Sequence, residues 1–196
     1  MIFMKKVCAL LIMGWAVIIS GAVQAQILGP NEEIPFVPTP IEVIDRMLEL
    51  AEVKKGDVIY DLGSGDGRIV IRAAKKYGVR AVGIEMDSSL LDKARKAAKA
   101  EGVSHLVEFR NEDALKADIS RATVVTLYML PWFNEAMKPN FKKMLKPGTR
   151  IVAHDFGIEG WEPDKTEKLP GFEMKAEGHK HQHTIHLWTI GKKQSK

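Results

Sequence analysis

The stretch Asp57-Val58-Ile59-Tyr60-Asp61-Leu62-Gly63-Ser64-Gly65-Asp66-Gly67-Arg68, continued by a helical run and by Arg80-Ala81-Val82-Gly83-Ile84-Glu85, decides the fold. Val58-Ile59-Tyr60 is short, apolar and β-rich, the composition of a parallel strand buried on both faces. Three glycines at alternate positions follow it, each free to take φ > 0 and to let backbone approach a ligand. A helix is expected from about Gly67 to Tyr77, with Ile69, Val70, Ala73 and Ala74 against the sheet. A second strand then ends on Glu85, the place of the acid that holds ribose hydroxyls in nucleotide-binding βαβ units. The dinucleotide fingerprint G-x-G-x-x-G fails here: after Gly63 and Gly65 its third glycine falls at position 68, which is Arg68.

What stands instead is D-x-G-x-G-x-G, from Asp61 to Gly67. It resembles motif I of the seven-stranded methyltransferases that use S-adenosylmethionine (SAM). The charge logic agrees. SAM has no phosphate to place on a helix N-terminus; it carries a sulfonium and an ammonium, so acids beside the turn are reasonable.

The chain has 196 residues, suited to one domain with a sizeable core. Its formal charge is +4, which falls to +2 without Lys5 and Lys6, and its lysines are spread along helices. That gives no strong nucleic-acid signal. Residues 1–25 read as a secretory signal: Lys5-Lys6 is the positive region, Val7 to Ile19 the apolar run, and Val23-Gln24-Ala25 a small-residue cleavage site. The only cysteine, Cys8, lies inside it, so a mature chain has no thiol. The expected location is periplasmic or extracytoplasmic. The alternative is an uncleaved segment that anchors the domain to the membrane. Either sets an exported domain against a cofactor made in the cytosol.

Residues 26–38 form a proline-punctuated lead, and 39–196 the domain. Thr39-Pro40-Ile41-Glu42 reads as a capping box opening a helix. Asp87 or Ser88 caps a second crossover helix, which Gly102 ends. Strands are expected at Leu106–Arg110, Val124–Tyr128 and Arg150–Ala153, with a helix from Trp132 to Leu145. A long irregular segment is expected up to Pro170, then a closing strand pair, Phe172–Ala176 and Thr184–Ile190. Strand and helix alternate, which gives an α/β fold with a doubly wound, mostly parallel sheet, and the last pair adds an antiparallel terminal strand.

The overlap extends to Pro35-Phe36-Val37-Pro38-Thr39-Pro40, to Asp61 through Val70, and to Val124-Val125-Thr126 leading to Leu130-Pro131. Together these resemble the small protein-lysine methyltransferases that modify the c-type subunit of ATP synthase and the adenine nucleotide translocase, and their prokaryotic relatives. The resemblance covers roughly residues 34–156 and implies a Rossmann-like sheet of seven strands. It implies that Asp61, Gly63, Ser64, Gly65 and Gly67 line the methionine part of SAM, that Glu85 accepts from the ribose hydroxyls, and that Asp113 meets the adenine amino group. Phe36 and Thr39 are implied to cover the cofactor, and Tyr128 to Pro131 to border the acceptor.

Tyr128, Trp132, His154, Asp155 and Trp161 are candidates for an acceptor pocket. An amine must be neutral to attack a methyl carbon, so Tyr128, His154 and Asp155 are the catalytic candidates. His179, His181 and His183 alternate and share one face of a strand. They lack carboxylate or thiol neighbours in sequence, so a solvated strand face is the expectation and no metal is assigned. The reading is a SAM-dependent methyltransferase acting by in-line transfer, with protein lysine as the first acceptor. A small-molecule or lipid acceptor is the alternative, and a non-enzymatic exported SAM-binding module a second one. The absence of an Asn/Asp-Pro-Pro-Tyr/Phe element after the fourth strand argues against nucleic-acid amino groups. Membrane proximity is compatible with the leader, and the sequence leaves the oligomeric state open.

Overall fold

The computed structural model describes residues 34–170, 172–173 and 180–192. The leader at 1–25, Cys8 and the lead up to residue 33 lie outside the described residues, as does His179. Among the described residues, no helix is long and apolar enough to cross a membrane.

Helix α1 (Ile41–Leu50) buries Val43, Ile44, Met47 and Leu48, a stripe at helical spacing. Strand β1 (Val58–Leu62), helix α2 (Arg68–Tyr77) and strand β2 (Arg80–Glu85) form the first crossover unit, and helix α3 (Ser88–Ala100) leads to strand β3 (Val107–Asn111). Strand β4 (Val124–Leu127), helix α4 (Pro131–Met144) and strand β5 (Arg150–His154) complete the parallel half. Asp87 caps α3, its carboxylate accepting from the amides of Ser89 and Leu90. Then come β6 (Lys165–Lys168), two-residue strands β7 (Phe172–Glu173) and β8 (Lys180–His181), and β9 (Thr184–Thr189).

The seven-stranded sheet has the order β3-β2-β1-β4-β5-β9-β6. Strands β1 to β5 are parallel, and β9 runs antiparallel between β5 and β6. Chain order reverses between β1 and β4, so the ends of these strands open a crevice there. One apolar layer packs α1, α2 and α3 on one face, and α4 with Trp188 covers the other. Asp57 ties the bottom of the sheet together: it accepts from the Lys54 amide at 2.8 Å and the Thr123 hydroxyl at 2.7 Å, and it pairs with Arg150. Burial raises its pKa, but these partners outweigh that and hold it below the usual carboxylate value.

Two expectations are corrected. The edge strand is β6, at Lys165–Lys168, inside the segment expected to be irregular. Phe172–Glu173 instead pairs with β8 in a separate two-stranded ladder. An edge strand is paired on one side only, and Lys-Thr-Glu-Lys carries the charges that guard such edges, so it has no apolar alternation to find. Its register places Glu167 opposite Ile185 and lets Arg46 of α1 grip Glu167 through two bonds of 2.6 and 2.7 Å. The second correction concerns Thr39. Helix α1 has Pro40 at its N-cap with no side-chain cap bond, and the buried Thr39 hydroxyl lies 3.4 Å from His154 Nδ1. The capping-box pattern is present, but a partner from β5 claims the hydroxyl.

Candidate active site

The crevice is a cavity of about 930 Å³ at the carboxyl ends of β1, β2 and β4, within the range of small-molecule sites. Its floor is the turn after β1. Gly65 has φ +53°, and a Cβ there would lie 2.4 Å from the Phe36 ring. Gly67, at φ +78°, is the N-cap of α2; a Cβ there would meet the Phe109 ring at 2.7 Å and Ala94 at 2.9 Å. The turn thus needs glycine for backbone conformation and for space together.

Glu85 ends β2 at the cavity wall. One carboxylate oxygen accepts from the Gly65 amide at 2.9 Å; the other accepts from Met86 at 2.8 Å and Asp87 at 3.0 Å. It therefore braces the glycine turn as well as facing the cavity. Asp61, buried, accepts from the Thr126 hydroxyl at 2.6 Å. Burial pushes its pKa up to about 7, against the Thr126 bond and with the help of the neighbouring Glu85 and Asp66. Asp113 lines the wall beyond β3, takes the Leu115 amide at 3.0 Å and pairs with Lys116. Burial raises its pKa, yet these two partners hold it below the usual value.

Of the residues expected from sequence to bind the cofactor, Phe36, Thr39, Asp61, Gly63, Ser64, Gly65, Glu85 and Asp113 line this one cavity. Gly67 sits behind the turn, where it starts α2. Tyr128 also lines the cavity, while His154 and Asp155 stand behind it, with the His154 ring packed 3.9 Å from the Tyr128 ring. Trp161 lies elsewhere, its carbonyl accepting from Trp188 Nε1. Among the lining residues that sequence reasoning missed are Asp66 and Phe133, and it also missed the role of Arg68. Arg68 forks onto Asp66 and donates to the Thr39 carbonyl at 3.0 Å, which pins the segment 34–39 over the turn. The sequence signal is the Asp-Gly-Arg run itself, which by sequence alone speaks only through its missing glycine.

The cavity fits SAM on its own chemistry. Ser64 Oγ and Trp132 Nε1 are buried with no hydrogen-bond partner among the described residues, and both residues line it. Buried polar atoms of this kind call for a ligand or water partner. Asp61, Glu85 and Asp113 line the cavity with acidic side chains, and SAM offers an ammonium, ribose hydroxyls and an adenine amino group for acceptors, while among the described residues no cluster of cations lines the cavity to meet a pyrophosphate.

Known proteins agree. The chain is 43% identical, over 81% of its own length and 94% of the other's, to a protein-lysine N-methyltransferase of Saccharolobus islandicus. It is 28% identical to the mouse adenine nucleotide translocase lysine N-methyltransferase over 74% of this chain, and it spans 66% of that enzyme. A crystal structure described as an RNA methyltransferase from Salinibacter ruber, in complex with S-adenosyl-L-homocysteine, matches with a TM-score of 0.71 and 52% identity, covering 82% of this chain and 97% of that one. Fold, cavity and relatives together define a SAM-dependent methyltransferase with the seven-stranded sheet. Residues 61–165 match the model of the ANTKMT methyltransferase domain, and the chain belongs to that family.

Proposed function

We propose that the chain methylates the side-chain nitrogen of lysine in a protein. The observation that carries this reading is the charge of the cavity. Among the described residues, its lining holds six acidic side chains, Asp61 (its pKa raised to about 7), Asp66, Glu85, Asp87, Glu112 and Asp113, and one cation, Arg68, which is itself paired with Asp66. Such a mouth attracts a cationic side chain and repels a phosphodiester backbone. The lysine activity named for the Saccharolobus relative supports the same acceptor.

SAM supplies a methyl carbon activated by its sulfonium. The chain's own residues have the remaining work. Asp61, Glu85 and the glycine turn hold the cofactor, and Phe36, clamped through Arg68 and Thr39, excludes water. Tyr128, Met129, Trp132 and Phe133 form an apolar wall that favours the neutral amine over the ammonium. Positioning is then the main source of rate. The exposed rim residues Ile34, Phe36, Val37 and Met86 suit an acceptor presented in an apolar setting.

The test is incubation of the purified chain with methyl-labelled SAM and fractionated cell envelope, followed by hydrolysis. Labelled methyl-lysine is expected; label confined to lipid or small molecules overturns the reading. A second reading, transfer to RNA, rests on the description of the Salinibacter protein. We also propose that residues 1–25 direct export and are removed. N-terminal mass spectrometry of the chain from cells should find a start at Gln26, and an intact Met1 would refute cleavage.

A further inference from the structure

Behind the Tyr128 wall, two histidines and a carboxylate converge. His154 ends β5, Asp155 follows it, and His183 immediately precedes β9. His154 Nε2 lies 2.9 Å from His183 Nδ1 and 3.3 Å from Asp155 Oδ2, and the third edge, His183 Nδ1 to Asp155 Oδ2, is 3.6 Å. Both rings are fully buried, and the Asp155 side chain is 11% exposed.

These three edges lie close to those of a metal triad. Ligand atoms bound at about 2.0–2.1 Å to a tetrahedral ion stand roughly 3.3–3.4 Å apart, and the observed edges straddle that value. Three protein ligands would leave a tetrahedral ion one further position. Two imidazoles and one carboxylate suit a divalent late transition metal; magnesium and calcium prefer oxygen donors.

The surroundings aim these atoms. Asp155 has φ +58°, a left-handed conformation that costs a non-glycine residue strain, and such strain collects at functional sites. The Thr184 amide donates to Asp155 Oδ1 at 2.8 Å, which turns Oδ2 toward the rings. The Thr39 hydroxyl stands 3.4 Å from His154 Nδ1, the ring nitrogen that faces away from the cluster. Metal-bound histidines use their second nitrogen in this way.

We propose that His154, Asp155 and His183 form a binding site for one divalent transition-metal ion, with zinc as the type ion. The ion joins the end of β5 to the start of β9. It also stiffens the cavity from behind, because Tyr128 packs on His154 and Thr39 contacts it, and both line the cavity. Its role is to hold the acceptor wall; the methyl transfer needs no metal chemistry.

The test uses the full chain without a histidine tag, stripped with chelator, and titrated with zinc by calorimetry and with cobalt(II) by visible absorption. One ion per chain, tetrahedral cobalt bands, and a thermal midpoint raised by zinc are expected. His183→Gln retains a hydrogen-bonding side chain, and both it and Asp155→Asn keep His179 and His181; each should bind at least tenfold more weakly and lose the cobalt bands. Binding that is equal in wild type and His183→Gln assigns the metal to other histidines and overturns the proposal. Absence of uptake by the wild type also overturns it and leaves a hydrogen-bonded His-His-Asp network, a result that stands even if a variant fails to fold.

Discussion

At one end of the crevice, Glu85 is satisfied by the amides of Gly65, Met86 and Asp87, all from one strand-helix-strand unit and the turn that follows it. At the other end, His154 meets His183 across 29 residues and Thr39 across 115. Both ends hold hydrogen-bonded polar groups at or behind the same cavity. The first is built by neighbours in sequence, so its parts are set as soon as β1, α2 and β2 form. The second exists only after β9 has returned to lie beside β5 and the segment before α1 has closed over the turn. The glycine turn under the cavity is therefore set mainly by nearby sequence, while the cluster behind Tyr128 depends on long-range closure.

Four changes would sharpen or break that contrast. The largest effect is expected at Asp61. Its pKa rises from 3.8 to about 7 on folding. Between about pH 4 and 7 the folded chain holds a proton that the unfolded chain has released. Stability without ligand therefore falls as pH rises through that window, by on the order of 4 kcal/mol, and is flat above it. Asp61→Asn should remove that slope in denaturant unfolding measured across pH. A cationic ligand favours the ionised form, so wild-type affinity for SAM should rise up to about pH 7 and that of the variant should not.

Gly67→Val comes next. Left-handed φ and the approach of Phe109 and Ala94 should together cost roughly 2–5 kcal/mol in denaturant unfolding. A stable Gly67→Val would mean that the turn is looser than the local account requires. Glu85→Ala should weaken SAM binding roughly ten- to a hundredfold by calorimetry, from the loss of charge-assisted bonds of about 1.5–3 kcal/mol. The sequence alone suggests an unchanged midpoint, but the three amides held by Glu85 predict a lowered one. Glu85→Gln, which keeps an acceptor, should lose less of both. The smallest effect is at the sheet edge: Glu167→Ala breaks a partly exposed pair with Arg46 and should cost no more than about 1 kcal/mol. A larger loss would show that β6 anchors the closure that completes the His154 cluster.

The same contrast explains what could be read from the sequence. Asp61-Leu62-Gly63-Ser64-Gly65-Asp66-Gly67 and Glu85 declared their turn and strand ends because the glycine pattern and the strand-helix-strand alternation lie close together in sequence, although Thr126, Phe36 and Phe109 complete the packing. Strand β6 escaped because an exposed edge needs no apolar face. Thr39 looked like a helix cap because its neighbours fit that pattern, and nothing nearby reveals that His154 draws its hydroxyl. His183 was visible only as one of three alternating histidines. Its partners stand at the end of β5, and the closing strand Thr184–Ile190, though legible as a strand, does not show in sequence which strand it lies beside. Arg68 was informative for the glycine it replaced, while its grip on Asp66 and the Thr39 carbonyl required the folded chain.

The acid-lined mouth makes the central claim, a protein acceptor, open to one direct measurement. A cell extract is incubated with the purified chain and methyl-labelled SAM, then divided between ribonuclease and protease before precipitation. Label should survive ribonuclease, be released by protease and be recovered as methyl-lysine. Label released by ribonuclease and retained after protease would contradict it.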